Sequence, residues 1–238
     1  MKVAVISALM VSVLLIVFGV VKYVSGNRAA SQMEMPPHGY RTTPIGEDKT
    51  PTSVAYAAIG NKIGKFELVD QDGKPFEISK WFDKPMIVSY IFTACDIVCP
   101  AITGSLASFV ENNKEMLGRD FRIVSVGFDV KNDTPSAMRE YGENFVDNFD
   151  NWVFATGSAD VVKALSEKLG IMYKKTDAAM AMNAEMDHGE MKMDPAMMWK
   201  HTMAITVVGP GGVVAEQVFG TNYSDEELAK PIKKTLKN

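Results

Sequence analysis

A short, nearly continuous apolar run covers residues 85–92 and ends just before a pair of cysteines, Cys95 and Cys99. An apolar run of that length is typical of a strand that is buried on both faces of a sheet. Similar runs recur at residues 122–128 and 152–155. Because such strands need helices to cover them, the sequence predicts a helix-covered sheet at the centre of the domain.

Helical patterns separate these strands. Apolar residues recur at helical spacing after Pro100, a further helix is predicted to open at residues 133–135, and another is predicted to end at Gly170. Residues 203–219 are typical of a strand, a Gly-Pro-Gly-Gly turn and a second strand, and a last helix is predicted over residues 225–236. This order predicts a three-layer α/β/α domain with parallel pairing first and an antiparallel edge, which a thioredoxin-like arrangement satisfies.

The N-terminal residues Val3–Val21 carry no charge and are long enough to cross a bilayer as a helix. We therefore predict a transmembrane anchor over residues 1–24, with cleavage as a signal peptide as the alternative. Residues 25–57 are polar and broken by prolines, which predicts a flexible tether. The domain is assigned to residues 58–238, with regular structure starting near Gly64 in a hairpin.

The composition is that of an ordinary globular protein. Hydrophobic residues make up 47% of the chain and charged residues 23%, with a net charge of −4. This balance gives no reason to expect nucleic acid as a partner. The N-terminal segment is not Arg-rich, so a bacterial envelope protein is a simpler interpretation than a protein with a mitochondrial transit peptide.

The spacing of the two cysteines limits their chemistry. Positions i and i+4 on a helical turn lie about 5–6 Å apart between Cβ atoms, which permits either one metal ion or a disulfide. A helix N-terminus stabilises thiolate, the form needed for metal binding and for redox exchange. A purely structural disulfide is the alternative. A disulfide that closes so short a loop restricts the unfolded chain less than one that closes a longer loop, so it would stabilise the fold least. The location after a sheet strand, where α/β domains place their sites, favours a functional pair.

Residues 90–100, with the sequence Tyr-Ile-Phe-Thr-Ala-Cys-Asp-Ile-Val-Cys-Pro, resemble the CxxxCP motif of the Sco/SenC copper chaperones. The similarity continues at residues 125–135, and His201 stands where that family carries its ligand histidine. The resemblance implies a thioredoxin-like fold in which Cys95, Cys99 and His201 bind one copper ion. It also implies a tether to the inner membrane and a role in assembling the copper A centre of cytochrome c oxidase, although some family members are assigned thiol-disulfide reductase roles.

The chain departs from the family pattern beside these ligands. Ile97 occupies the usual acidic position between the cysteines, and Lys200 replaces the common Asp before His201, so the site is less acidic than the family norm. The three ligands themselves are retained. Two thiolates and one imidazole suit Cu(I), which favours soft ligands, whereas Zn(II) usually takes a fourth ligand. The predicted cofactor is copper, as Cu(I) with Cu(II) as a second state.

A methionine-rich segment, residues 177–198, precedes His201. Apart from alanine, this segment offers almost no apolar partners, so core packing explains its methionines poorly. Exposed thioethers are soft ligands for Cu(I), and a flexible insertion that contacts a partner protein is the alternative. The auxiliary copper ligands predicted here are Met180, Met182, Met186, His188, Met191 and Met193.

Two functions remain open from the sequence. The leading hypothesis is a membrane-tethered metallochaperone that delivers copper to a cuproenzyme, with a cytochrome c oxidase subunit as the partner implied by the resemblance. The alternative is a thiol-disulfide oxidoreductase, in which Cys95 and Cys99 form a redox dithiol that keeps the cysteines of a partner protein reduced. The chain is an enzyme only under the second hypothesis. The predicted location is the bacterial inner membrane, with a single span and the soluble domain in the periplasm.

Overall fold

The computed structural model describes residues 51–176 and 198–237. These residues form a central five-stranded sheet, two short two-stranded sheets and the helices around them. In chain order the strands are β1 (Glu67–Val69), β2 (Pro75–Glu77), β3 (Met86–Ile91), β4 (Arg122–Gly127), β5 (Trp152–Ala155), β6 (Tyr173–Lys175), β7 (Trp199–His201), β8 (Ala204–Gly209) and β9 (Val213–Phe219). The helices are α1 (Pro51–Ala57), α2 (Val98–Asn112), α3 (Pro135–Gly142), α4 (Ala159–Leu169) and α5 (Asp225–Thr235), with a 3-10 turn at Ile78–Trp81.

The central sheet has the strand order β5-β4-β3-β8-β9. Strands β3, β4 and β5 are parallel, whereas β8 runs antiparallel to β3 and β9 antiparallel to β8. Every residue of β3 and of β8 is buried. The predicted strands, the parallel first half and the antiparallel edge are therefore confirmed. Continuous apolar runs form the inner strands because a sheet covered by helices buries the side chains on both of its faces.

Helices cover both faces of this sheet. On one face, the Tyr90 hydroxyl of β3 donates a hydrogen bond to the carbonyl of Val162 in α4, at 3.3 Å. The neighbouring residue Ser89 points to the opposite face, where Phe154 of β5 packs against Tyr141 of α3. Helices α2 and α5 contact each other and belong to the second face. The domain is thus a three-layer α/β/α arrangement.

Within the described residues, regular structure begins earlier than the sequence predicts. Residues 51–57 were expected to belong to the tether, with regular structure starting near Gly64, but Pro51–Ala57 is helical. Two small apolar side chains, Ala55 and Ala58, are buried and lie directly over Gly170 at the end of α4. Prolines and polar residues predict a tether here, whereas burial against α4 is a tertiary effect that local composition does not reveal.

The predicted membrane anchor, residues 1–24, lies outside the described residues. Within residues 51–176 and 198–237, no helix has both the length and the hydrophobicity that a bilayer crossing requires.

Candidate metal centre

The two cysteines lie where β3 passes into α2, in a segment we call the cysteine turn, residues 93–99. Cys95 is in the turn itself, and Cys99 is in the first turn of α2, followed by Pro100, which needs no hydrogen-bond acceptor there. The backbone N–H of Cys99 donates to the Cys95 sulfur at 3.4 Å. Both thiols are free and buried, with Cys95 at 5% and Cys99 at 0% exposure. The predicted pairing of the two sulfurs in space is therefore present in the structure.

The two thiols have opposite electrostatic characters. The pKa of Cys95 is lowered from 9.0 to about 5, chiefly because the Cys99 thiol donates a hydrogen bond to its sulfur. Burial raises this pKa, whereas hydrogen bonds from the backbone N–H groups of Cys99, Ile97 and Val98 lower it further. The pKa of Cys99 is raised well above its ordinary range by the same hydrogen bond and by burial. Cys95 is thus held as a thiolate at neutral pH, and Cys99 remains a thiol.

His201 is the last residue of strand β7, a short strand that the sequence analysis does not predict. It pairs with Tyr173 of β6, and Thr202 and Met203 then connect β7 to β8 without belonging to either strand. The short pair β6–β7 was missed because each strand has only three residues, two of which are basic in β6. His201 consequently lies on a separate small sheet beside the central one.

The imidazole of His201 is in a state suited to metal binding. Its Nδ1 lies 3.1 Å from the carbonyl oxygen of Thr202, and since a carbonyl only accepts, Nδ1 carries the hydrogen. The pKa of His201 is lowered, chiefly by burial, with the Thr202 carbonyl and the Cys95 charge acting in the opposite direction. The ring is therefore neutral at pH 7, and Nε2 has a free lone pair.

Phe92 connects the histidine to the cysteine turn. The His201 ring packs against Phe128 and Phe92, with ring centroids 5.4 and 6.3 Å apart respectively. The Phe92 carbonyl in turn accepts a hydrogen bond from the Cys95 N–H at 3.1 Å. The described part of the chain nevertheless contains no group of three His, Cys, Asp or Glu side chains close enough to hold a metal ion. The structure thus brings Cys95 and Cys99 together and places the His201 ring against Phe92, three residues before Cys95.

The methionine-rich segment is the connection between β6 and β7. Its six predicted copper ligands, Met180, Met182, Met186, His188, Met191 and Met193, lie outside the described residues. Both ends of the connection are described, since the N–H of Thr176 donates to the carbonyl of Met198 at 3.0 Å and the ladder continues to the Tyr173–His201 pair. The segment therefore leaves and rejoins the domain on the same two strands that carry His201.

Sequence reasoning missed two polar groups behind the cysteine turn. Asp133, expected only in a helix cap region, is fully buried and accepts hydrogen bonds from Thr93. Thr103 donates to the Cys99 carbonyl at 2.9 Å and contacts the Tyr141 hydroxyl at 2.9 Å. The available signal was topological, because loops that follow neighbouring parallel strands meet at one edge of the sheet.

A family model described as SCO1/SenC matches residues 55–237. The chain belongs to the SCO1/SenC family. Among curated relatives of this family member, the SCO1 protein homolog of Bacillus subtilis is 30% identical over 99 residues, which is 42% of this chain and 51% of that protein. An SCO2-like protein of Rickettsia felis is 29% identical over 171 residues, covering 71% of this chain and 75% of that protein. The chain thus spans only about half the length of the Bacillus relative.

Solved structures of the family share the fold. A SCO1/SenC family lipoprotein from Bacillus anthracis superposes with a TM-score of 0.61 at 22% identity, covering 74% of this chain and 96% of that one. ScoI of Arabidopsis thaliana, solved with copper bound, gives a TM-score of 0.56 at 22% identity, covering 73% of this chain and 97% of that one. The predicted thioredoxin-like fold is therefore confirmed for this family member.

Proposed function

We propose that this SCO1/SenC family member is a copper-binding metallochaperone whose copper is held by Cys95, Cys99 and His201. The observation that carries the proposal is the preformed Cys95 thiolate, which is stabilised by N–H donors at the start of α2 next to a second thiol. The neutral His201 with a free Nε2 supplies the third donor from the adjacent sheet. Two sulfur ligands and an imidazole suit Cu(I), and the copper-bound ScoI structures of Arabidopsis thaliana and Bradyrhizobium japonicum support copper.

Delivery requires that the copper site be reached by an acceptor. Ile97, between the two cysteines, is 65% exposed, so the cysteine turn lies at the surface although both of its thiols are covered. Small movements of this turn would bring the sulfurs to an acceptor for ligand exchange. We propose that the acceptor is a cuproenzyme precursor, most simply a cytochrome c oxidase subunit that receives its copper A centre.

We further propose that the protein acts at the periplasmic face of a bacterial inner membrane, tethered by residues 1–24 and the following tether. The uncharged run Val3–Val21 supports this anchor. The methionine-rich segment would add soft copper ligands near the main site, because its ends are fixed on the strands that carry His201.

The test is an anaerobic Cu(I) titration of the reduced full chain, purified in detergent, against a competing chromophoric chelator. We expect one dominant tight site in the wild type and its loss in Cys95→Ser and in His201→Ala. His188→Ala is the matched histidine control and should keep the dominant site, as should deletion of residues 178–196, which should remove only weaker additional sites. Tight binding that does not change in His201→Ala would refute the proposed ligand set.

A second candidate function is thiol-disulfide exchange, which the lowered pKa of Cys95 favours because thiolate is the attacking form. In that reaction the Cys95 thiolate attacks one sulfur of a target disulfide, a mixed disulfide forms, and the other target sulfur leaves as a thiolate. Cys99 then gives up its proton to the departing target sulfur and attacks Cys95, so that the Cys95–Cys99 disulfide closes and the target is released with both of its cysteines reduced. The near-complete burial of both thiols limits attack on a folded target. Reduction of a protein disulfide by the copper-free dithiol, at the same rate in His201→Ala, together with weak copper binding, would establish this function in place of copper delivery.

A further inference from the structure

Asp133 is buried between two loops that leave neighbouring parallel strands. One loop follows β3 and carries Thr93 and Cys95, and the other follows β4 and carries Asp129 and Asp133. Asp133 has an exposure of 0%, and a buried carboxylate is costly unless its oxygens are hydrogen-bonded or paired with a cation. Among the ion pairs formed by residues 51–176 and 198–237, none includes Asp133. Hydrogen bonds alone must therefore hold it in place.

Both carboxylate oxygens of Asp133 are used, and they join the two loops. Oδ1 accepts from the backbone N–H and from the hydroxyl of Thr93, each at 2.8 Å. Oδ2 accepts from the backbone N–H of Asp129, also at 2.8 Å. Gly127, at the end of β4, lies so close that a Cβ there would come within 2.7 Å of the Asp133 Cβ. The carboxylate is thus fixed on three sides, and Thr93 is fixed by it two residues before Cys95.

We propose that Asp133 is a positioning residue of the cysteine turn, which it holds through Thr93. The assignment deepens the proposed function, since a thiolate ligand must be oriented as well as deprotonated. Partners that orient metal ligands typically change metal affinity by roughly 10- to 100-fold when they are removed. The proposal is tested on the copper-binding chain and on the copper-free chain.

Position is tested in the full chain with Thr93→Val, which keeps the branched shape of the side chain and removes the hydroxyl donor. We expect Cu(I) affinity to fall roughly 10- to 100-fold in Thr93→Val and to stay within about threefold of wild type in Thr93→Ser. Thr206→Val is the matched control, because it loses a comparable buried hydrogen bond, to Gln217 at 2.9 Å, within the sheet. Its affinity should be that of wild type. Equal affinity in Thr93→Val and wild type, or failure of the Ser variant to restore binding, would overturn the positioning role.

A second readout uses the reduced, copper-free chain and measures how fast iodoacetamide alkylates the dithiol at pH 7.5. Both thiols are buried, so alkylation requires the cysteine turn to move. Loss of a hydrogen bond to the Asp133 carboxylate should make that movement easier, and we expect alkylation to be roughly tenfold faster in Thr93→Val and close to the wild-type rate in Thr93→Ser and Thr206→Val. An equal rate in Thr93→Val and wild type would overturn the proposal. Because this readout needs no copper, a wild-type chain that fails to bind Cu(I) would refute the metallochaperone function, while the alkylation rate would still decide the role of Asp133.

Discussion

Removal of the Cys99 thiol should raise the pKa of Cys95 by a defined amount. The Cys99 side chain is the largest cause of the lowered Cys95 pKa, and the backbone N–H groups at the start of α2 contribute the remainder. A pKa that falls from 9.0 to about 5 corresponds to about 5 kcal/mol in favour of the thiolate. One hydrogen bond to a charged group contributes about 1.5–3 kcal/mol, which is about one to two pKa units. We therefore expect the pKa of Cys95 in Cys99→Ala to be about 6 to 7, still below its ordinary value.

The assay is the pH dependence of alkylation by iodoacetamide, or of thiolate absorbance near 240 nm. The chain has two cysteines, so the Cys99→Ala variant has a single thiol and the signal belongs to Cys95 alone. Cys99→Ser is the matched control, because its hydroxyl can still donate to the Cys95 sulfur, and its midpoint should stay near the wild-type value. A midpoint near 5 in Cys99→Ala would show that the thiol contributes nothing. A midpoint above about 8.5 would show that the helix N-terminus contributes nothing.

Two further predictions concern stability. Because burial raises the pKa of Asp133 from 3.8 to about 6 in the folded chain, folding takes up a proton between these two pH values. The stability that this carboxyl contributes should be present below about pH 4 and should be lost as the pH rises through about 6, by up to about 3 kcal/mol. Urea unfolding at a series of pH values measures this change, which should be absent in Asp133→Asn. Gly170 has a φ of +72°, and a Cβ there would lie 2.6 Å from the Cβ of Ala58, so Gly170→Ala should cost about 2–4 kcal/mol. Gly73→Ala, with a φ of +76° and open space around it, should cost only about 1 kcal/mol, and equal losses in the two variants would contradict the packing argument.

The central sheet could be predicted because its signals are local. Residues 152–155 are all apolar and form β5 with those bounds, and the antiparallel pair β8–β9 is encoded by its Gly-Pro-Gly-Gly turn. The end of α4 is likewise encoded by Gly170, which adopts the left-handed conformation that closes a helix. Each of these elements depends on residues close together in the chain, and the order of strands and helices then restricts the topology.

The surroundings of the site could not be predicted in the same way. The position of His201 depends on its pairing with Tyr173, which is separated from it by the whole methionine-rich segment. The role of Asp133 depends on a contact with Thr93, 40 residues away, that exists only because β3 and β4 are neighbours. The cysteine pair itself was predictable because four residues and a helix N-terminus are enough to place both sulfurs.

The unequal thiols determine how many protons copper binding should release. At pH 7.5 Cys95 is already a thiolate, Cys99 is still a thiol and His201 is neutral, so a Cu(I) ion that takes both sulfurs and Nε2 displaces one proton, from Cys99. Two cysteines with ordinary pKa values would both be largely protonated and would release nearly two. Calorimetric titration of Cu(I) into the reduced chain, repeated in buffers of different ionisation enthalpy, counts these protons. A release of about one supports a site in which one thiolate is preformed, whereas a release of two would mean that the hydrogen bonds of the cysteine turn do not hold Cys95 as a thiolate.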